Sequence, residues 1–393
     1  MQLFDKIERH DPSPCKDLED SFAFLNRVNT PFWGEVRSLL EEWFSRYPLH
    51  EGKDLWKAFR SRLPGQHYGA WWELYLHELF SRLGYEIEIH PELADSSKRP
   101  DFMLRLDDSL LYVEAAVVFS GITTKRDRNP PRWLLDAINR ASSPDFFVRL
   151  VRVEPGEPRQ LKRNEIVTPL ESWLSSLDHE EVSASHKNDE GLPEETIRCR
   201  GWGMVFEAWP VKPEARGRTD RRLLGIGPAQ TGFVNDARQL RSTLKKKAGR
   251  FGRPKIPMVT ATLSLSGFME QLDIEQALYG DEAFQVPRDG EGAAALLRRR
   301  NGFWTASDGP QNQRVSAVLT AVGLHPANVN KVAPSLWLNP WADYPLEEPW
   351  PFSRFTASER GEILGEEEHP DMAALFDLSA GWPGSDPFPR NRT

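Results

Sequence analysis

Apolar residues recur at two different spacings along the chain, and the alternation of the two predicts a mixed α/β protein. A helical spacing fills residues 31–48, and residues 66–83 carry the clearest helix, whose apolar stripe ends before Gly84. Residues 85–89 alternate between apolar and polar side chains, which predicts a strand buried on one side.

The same two spacings predict the elements that follow. We predict helices at 133–141, 170–177 and 236–251, and strands at 146–154, 199–211 and 256–266. Residues 178–195 are acidic and polar without a period, so we predict a surface loop there. Residues 314–324 predict a buried element of unassigned type. The last stretch of the chain, from about residue 349, is rich in Pro, Trp and acidic residues and predicts irregular structure.

A β-hairpin with two facing acidic residues is predicted at 101–114. If Asp107 and Asp108 form a two-residue turn, Asp101 lies opposite Glu114 in the antiparallel ladder. Facing residues have Cβ atoms about 4.5–5.5 Å apart and point to one side of the sheet. The other side then becomes a continuous apolar surface, so one register satisfies both the core and the acid pair.

Two carboxylates this close repel each other, and burial would raise their pKa values. A divalent cation relieves this conflict, and Mg²⁺ binds carboxylate oxygens together with water. We therefore expect Mg²⁺ (or Mn²⁺) at Asp101 and Glu114. Such a metal can polarise a phosphoryl oxygen and lower the pKa of a bound water, which is the chemistry of phosphodiester hydrolysis.

The 66–83 helix offers further candidates beside the hairpin. Glu73 follows a residue of the apolar stripe and lies about 100° from it around the helix axis, so it can supply a third carboxylate. His77 lies one turn further along the same flank. Glu78 falls on the far side of the helix, where we expect it to be solvated.

The combination of Glu73, Pro100-Asp101 and Glu114-Ala115-Ala116 resembles the PD-(D/E)XK nuclease superfamily, over about residues 66–155. The resemblance implies a restriction-endonuclease-like fold, in which a central mixed β-sheet is flanked by helices. It also implies Mg²⁺-dependent cleavage of DNA, with Glu73, Asp101 and Glu114 as metal ligands. A role in restriction or in defence against foreign DNA follows only by analogy.

One position departs from the family pattern. The family's lysine, two residues after the glutamate, falls at position 116, where this chain has alanine. Another lysine could replace it, and Lys98 and Lys125 are the candidates, or His77 could transfer the proton instead. Otherwise the site is inactive, and the chain is a degenerate nuclease-fold protein that acts as a nucleic-acid-binding or scaffold module.

Two readings outside this family remain open at this point. The hairpin can be an ordinary one, in which Asp101 caps a turn and Glu114 pairs with an arginine such as Arg105. The chain can also be an enzyme of another class on an unrelated α/β fold.

A basic segment predicts contacts with nucleic acid. Residues 212–255 hold thirteen Lys or Arg and three Asp or Glu, although the whole chain has a net charge of −8. Such a local excess can neutralise phosphates. The residues expected to bind DNA are Arg241, Lys245, Lys246, Lys247 and Arg250. A solvated helix face beside a flexible loop explains the same composition.

Length and composition set the remaining expectations. The 393 residues are too many for one compact core of ordinary size. We expect an N-terminal helical extension at 1–65, a core at 66–270 with the basic insertion, and a C-terminal accessory region at 271–393. With two cysteines and no apolar run of membrane length, we expect a soluble cytoplasmic protein that binds no membrane. A homodimer or a partner protein is compatible with the sequence.

Overall fold

The structure is a computed structural model that describes most of the chain. The described residues are 1–16, 19–93, 96–119, 132–154, 156–157, 161–187, 191–211, 216–217, 223–224, 236–252, 254–266, 269–285, 295–358 and 361–388. Lys125, a candidate for the absent lysine, lies outside these residues, as does part of the basic segment.

Ten helices and fifteen strands are formed by the described residues. The helices are α1 (Ser21–Arg27), α2 (Pro31–Arg46), α3 (Leu49–Phe59), α4 (Pro64–Arg82), α5 (Arg132–Ile138), α6 (Arg163–Ser175), α7 (His179–Lys187), α8 (Asp236–Ala248), α9 (Gln271–Tyr279) and α10 (Met372–Leu375). The strands are β1 (Glu86–Ile89), β2 (Phe102–Leu106), β3 (Ser109–Val118), β4 (Phe146–Glu154), β5 (Glu194–Cys199), β6 (Trp202–Pro210), β7 (Met258–Ser264), β8 (Glu282–Gln285), β9 (Ala295–Arg298), β10 (Thr305–Ala306), β11 (Gly309–Pro310), β12 (Ala317–Val322), β13 (Ser335–Leu338), β14 (Arg354–Ala357) and β15 (Ile363–Glu366).

The chain folds into two compact units. The larger comprises residues 1–14, 20–121 and 234–393, and the smaller comprises 15–19 and 122–233. This division differs from the predicted boundaries at 65 and 270. Strands from both the predicted core and the predicted C-terminal region pair in one sheet, so their backbone hydrogen bonds join these regions in a single unit.

An eight-stranded mixed sheet forms the centre of the larger unit, in the order β1-β2-β3-β7-β12-β13-β14-β15. β7 is parallel to both of its neighbours, β3 and β12, whereas β1, β2 and β3 form an antiparallel meander. The predicted mixed α/β class is therefore confirmed. The C-terminal prediction is corrected, because β14, β15 and α10 all lie in the stretch expected to be irregular.

The predicted hairpin register is also confirmed. Phe102 pairs with Val113 and Leu106 pairs with Ser109, which leaves Asp107 and Asp108 as the two-residue turn. Asp107 has a φ of 51°, and acidic or amide side chains tolerate this left-handed conformation better than most residues.

Helix α4 has nearly the extent that its apolar stripe predicts. Pro64 occupies its first turn, where no backbone N–H partner is lost, and Gly84 follows its C-terminal end at a φ of 90°. The helix packs against β3, and the indole of Trp72 donates a hydrogen bond of 2.9 Å to the carbonyl oxygen of Ala261 in β7. This contact fixes the rotation of α4 relative to the central strands.

The smaller unit contains the antiparallel sheet β4-β6-β5, together with α5, α6 and α7. The prediction of a loop at 178–195 is wrong for most of this range, because α7 and the start of β5 occupy it. Asp178 caps α7 by accepting hydrogen bonds from the backbone N–H groups of Glu180 and Glu181. Val182 packs in the apolar core of this unit. The helix therefore forms with a cap and one buried apolar residue, without an apolar period along its length.

No helix in the described part of the chain combines the length and the apolar character that crossing a bilayer requires.

Candidate active site

Glu114 lies in the interior of β3, and its side chain is 1% exposed. Side chains alternate between the two faces of a strand, so Glu114, Ala116 and Val118 share one face. Val118 packs in an apolar cluster with Leu240 and Leu244 of α8. The face that carries Glu114 is therefore the face that α8 covers.

Two cations of the α8 region contact one oxygen of Glu114. Lys247 donates from Nζ to Oε1 at 2.6 Å, and Arg250 donates from Nη1 to the same oxygen at 2.9 Å. The other oxygen, Oε2, is buried and has no hydrogen-bond partner among the described residues. Glu114 therefore has one oxygen held by protein cations and one buried oxygen without a partner among the described residues.

Asp101 is positioned by the backbone of the facing strand. Its Oδ2 accepts a hydrogen bond of 2.6 Å from the N–H of Ala115, just beyond the last ladder pair of the hairpin. Continuing the β2–β3 register by one residue puts Asp101 opposite Glu114, and the negative charge of Asp101 raises the pKa of Glu114. The predicted acid pair is thus formed at this end of the hairpin.

Glu73 reaches the same group of charges from α4. Burial, followed by the negative charges of Asp101 and Glu114, raises its pKa from 4.5 to about 8, against the opposing charge of Lys247. Burial followed by Asp101 likewise raises the pKa of Glu114 to about 7. Three carboxyl groups from α4, β3 and the start of β2 therefore share one environment in which full ionisation is unfavourable.

The donor chemistry of this group suits a hard cation. Carboxylate oxygens are the ligands that Mg²⁺ prefers, and a metal ion would relieve the repulsion that raises both pKa values. The unpartnered Oε2 of Glu114 is an oxygen that such an ion could use. Within the described ranges, however, no group of three or more His, Cys, Asp or Glu is arranged to hold a metal. The arrangement fits the pattern of one or two carboxylates with bound water, not a complete protein cage.

Thr260 is a residue of this site that the sequence did not single out. It lies directly beside Glu114 in the parallel β3–β7 ladder, so both side chains point to the α8 side. Its hydroxyl is buried and lacks a hydrogen-bond partner among the described residues. Oε2 of Glu114 and the hydroxyl of Thr260 are thus two buried polar atoms without described partners, and they lie at paired positions of adjacent strands.

Lys247 was expected to bind phosphate with its two neighbours, and the structure gives it a different position. The buried residues of α8 include Leu240, Leu244 and Ala248, and Lys247 lies on the edge of this stripe. Lys245 and Lys246 are exposed. The apolar period of the helix was the signal that separates Lys247 from the other two lysines.

The remaining proton-transfer candidates lie in different surroundings. Lys98 is exposed, and its backbone N–H donates to the hydroxyl of Ser96. His77 is 7% exposed and packs against the ring of Tyr47 with centroids 4.8 Å apart. Burial lowers the pKa of His77 to about 4, so its imidazole is neutral near pH 7.

The expectation that Glu78 is solvated is wrong. Its side chain is 1% exposed and forms ion pairs with Arg46 of α2, at 2.6 Å, and with Arg82, at 2.8 Å. A buried carboxylate requires charged or hydrogen-bonding partners, and the pair with Arg46 also joins α2 to α4. Arg105, named as an alternative partner of Glu114, is replaced in that role by Lys247 and Arg250.

Arg241 is also committed to a contact within the protein. Its guanidinium donates to the carbonyl oxygens of Gln276 and Ala277 at the end of α9, and to the carboxylate of Asp281. Of the five residues expected to bind DNA, Lys247 and Arg250 contact Glu114, and Arg241 joins α8 to α9.

Comparison of the chain with known proteins gives no match among protein-family models, curated proteins or solved structures.

Proposed function

We propose that this protein is a metal-dependent nuclease that hydrolyses phosphodiester bonds of DNA. The observation that carries the proposal is the buried carboxylate of Glu114, which has lysine and arginine on one oxygen and an unpartnered second oxygen. Acids with raised pKa values and cations meet here, and such clusters are typical of catalytic sites. The resemblance to the PD-(D/E)XK superfamily, with its restriction-endonuclease-like fold, supports the same conclusion.

In this proposal Asp101 and Glu114 hold a Mg²⁺ or Mn²⁺ ion, and Glu73, whose pKa the charges of both acids raise, adds negative charge to the same site. The ion supplies charge that polarises a phosphoryl oxygen and acidifies a bound water. The protein contributes the fixed positions of its acids. The backbone N–H of Ala115 orients Asp101, and the strand interior restrains Glu114.

Lys247 takes the role of the lysine that the family pattern would place at position 116. Ala116 shares a strand face with Glu114, so a lysine there would point toward α8. Lys247 brings its ammonium to the same face from the opposite direction, and the small Ala116 side chain leaves space for it. Its ammonium can stabilise negative charge that develops on the phosphate.

The test is incubation with plasmid and with single-stranded DNA in Mg²⁺ or Mn²⁺. Asp101→Asn and Glu114→Gln are the active-site variants, and Glu86→Gln, an exposed acid on β1 of the same sheet, is the matched control. We expect cleavage by the wild type and the control only, and none in EDTA. Cleavage that survives both active-site variants would reject the proposal.

A second candidate is a catalytically inactive nuclease-fold protein that binds nucleic acid or acts as a scaffold. It is favoured by the two cations on Glu114, which neutralise the acid, and by the absence of a three-residue metal group in the described chain. Tight DNA binding without cleavage in either metal would select this candidate.

A further inference from the structure

Helix α8 has a second polar face, distinct from the one that carries Lys247. Arg238, the pair Arg241 and Ser242, and the pair Lys245 and Lys246 recur at intervals of three or four residues, so they form one stripe along the helix. Together with Asp281 they line a surface groove with a volume of about 530 Å³.

The lining residues of this groove fall into two groups. Arg241 is 17% exposed, and the carboxylate of Asp281 and two backbone carbonyl groups fix its guanidinium. Lys245 and Lys246 are exposed, and neither forms an ion pair or a hydrogen bond within the described part of the chain. Asp281 is engaged by Arg241, so the lysines contribute positive charge that no described acid balances.

The dimensions of the stripe favour a polymer over a small anion. Arg238 and Lys245 are seven residues apart, which is about 10 Å along a helix axis. A nucleic acid strand carries one charge for each ~3.4 Å of helix axis, so the stripe can meet more than one phosphate. The described side chains that line the groove include no aromatic ring on which a base could stack, so these contacts address the backbone.

We propose that this groove binds the sugar–phosphate backbone of nucleic acid, through Lys245 and Lys246 and with Arg238 and Ser242 at its side. Binding here does not involve the acids around Glu114. That the bound strand is also the one cut at Glu114 rests on the proposed function. Helix α8 carries the groove on one side and Lys247, which contacts Glu114, on another. A nucleic acid strand in the groove therefore lies against the same helix that contacts the acids.

The experiment measures binding of labelled single-stranded and duplex DNA by fluorescence anisotropy in EDTA, over a series of salt concentrations. The variant Lys245→Gln/Lys246→Gln is compared with Lys53→Gln/Lys331→Gln, which removes two exposed lysines elsewhere in the larger unit. Each lost phosphate contact lowers the salt slope by about 0.7–0.9. We expect the groove variant to bind about tenfold more weakly near 0.1 M salt, with a shallower slope, and the control to bind as the wild type does.

Three outcomes separate this inference from its alternatives. Equal binding by the groove variant and the wild type would overturn it. Displacement of DNA by millimolar inorganic phosphate or mononucleotide, at unchanged ionic strength, would also overturn it in favour of a small-anion site. Binding by wild-type protein that never cleaves would reject the nuclease and leave the groove supported.

Discussion

Lys247 donates a 2.6 Å hydrogen bond to Oε1 of Glu114, although 133 residues separate the two in the chain. The contact joins the last turn of α8 to the interior of β3. It stabilises a carboxylate that is 1% exposed and whose pKa burial raises to about 7. Near neutral pH, small changes in the surroundings of Glu114 therefore change its ionisation.

Replacing Lys247 with methionine is expected to destabilise the protein more at pH 8 than at pH 6. At pH 8 Glu114 is ionised and loses a buried partner, and breaking such a pair costs about 3 kcal/mol. At pH 6 the carboxyl group can take up a proton, so the loss is smaller. Urea unfolding at the two pH values measures the difference.

The matched control for this variant is Lys246→Met, one residue away and exposed, which should change the unfolding free energy by less than about 0.5 kcal/mol. Adding Glu114→Gln to Lys247→Met removes the carboxylate charge that has lost this partner and should recover much of the loss at pH 8. A loss that is equal at both pH values and is not recovered would contradict the proposed ion-pair energetics.

The raised pKa of Glu73 predicts how stability depends on pH without metal. Between pH 4.5 and about 8 the native carboxyl group binds a proton that the unfolded chain has released. The unfolding free energy therefore falls as pH rises through this window. Glu73→Gln should flatten the fall and be more stable than the wild type at pH 8.

This prediction is checked by urea unfolding in EDTA from pH 5 to pH 9 with Glu86→Gln as the control. Glu86 is exposed on β1, so its removal should leave the slope unchanged. A Glu73→Gln variant that keeps the wild-type slope would show that Glu73 does not carry the proton.

Metal binding is expected to reverse this pH dependence. Mn²⁺ binds ionised carboxylates, so at pH 7 its binding should release protons from Glu73 and Glu114. For the same reason Mn²⁺ should raise the melting temperature more at pH 8.5 than at pH 6. Calorimetry in buffers of different ionisation enthalpy counts the protons. Asp101→Asn should lose the effect, and an equal rise in that variant would place the metal elsewhere.

If Lys247 replaces the lysine of the family pattern, a lysine at position 116 should substitute for it. We expect Lys247→Ala to lower the cleavage rate by two orders of magnitude or more, on the scale of losing one charge-stabilising donor. Adding Ala116→Lys should restore part of the rate, because a side chain at position 116 points toward α8, where Lys247 places its ammonium. Ala116→Lys alone should destabilise the fold by overpacking, about 1–3 kcal/mol. No recovery in a folded double variant would exclude the exchange.

Local pattern was sufficient for the elements that form the acid pair. The helix at Pro64–Arg82 follows from its apolar stripe, and the register of β2 and β3 follows from the two-residue turn and the alternation of faces. Neither requires knowledge of distant residues, because helix and hairpin hydrogen bonds join neighbours in sequence. The short helix α7 was missed, since its cap at Asp178 and a single buried valine give no period.

Long-range packing decided the parts that local pattern could not. Glu78 looked solvated by helical position, and only the approach of α2 brings Arg46 to it. Likewise, the apolar period of α8 sets Lys247 apart from Lys245 and Lys246, but only docking of the helix on the sheet gives Lys247 its partner Glu114.

The sequence by itself therefore determined the mixed α/β class, the hairpin register and the acids at its end, because these depend on residues close together in the chain. The tertiary structure alone decided the partners of those acids, the assignment of the C-terminal strands to the central sheet and the division into two units. The physical reason is that a carboxylate's charge state and a strand's hydrogen-bond partner depend on which groups share its space, and distant segments supply those groups.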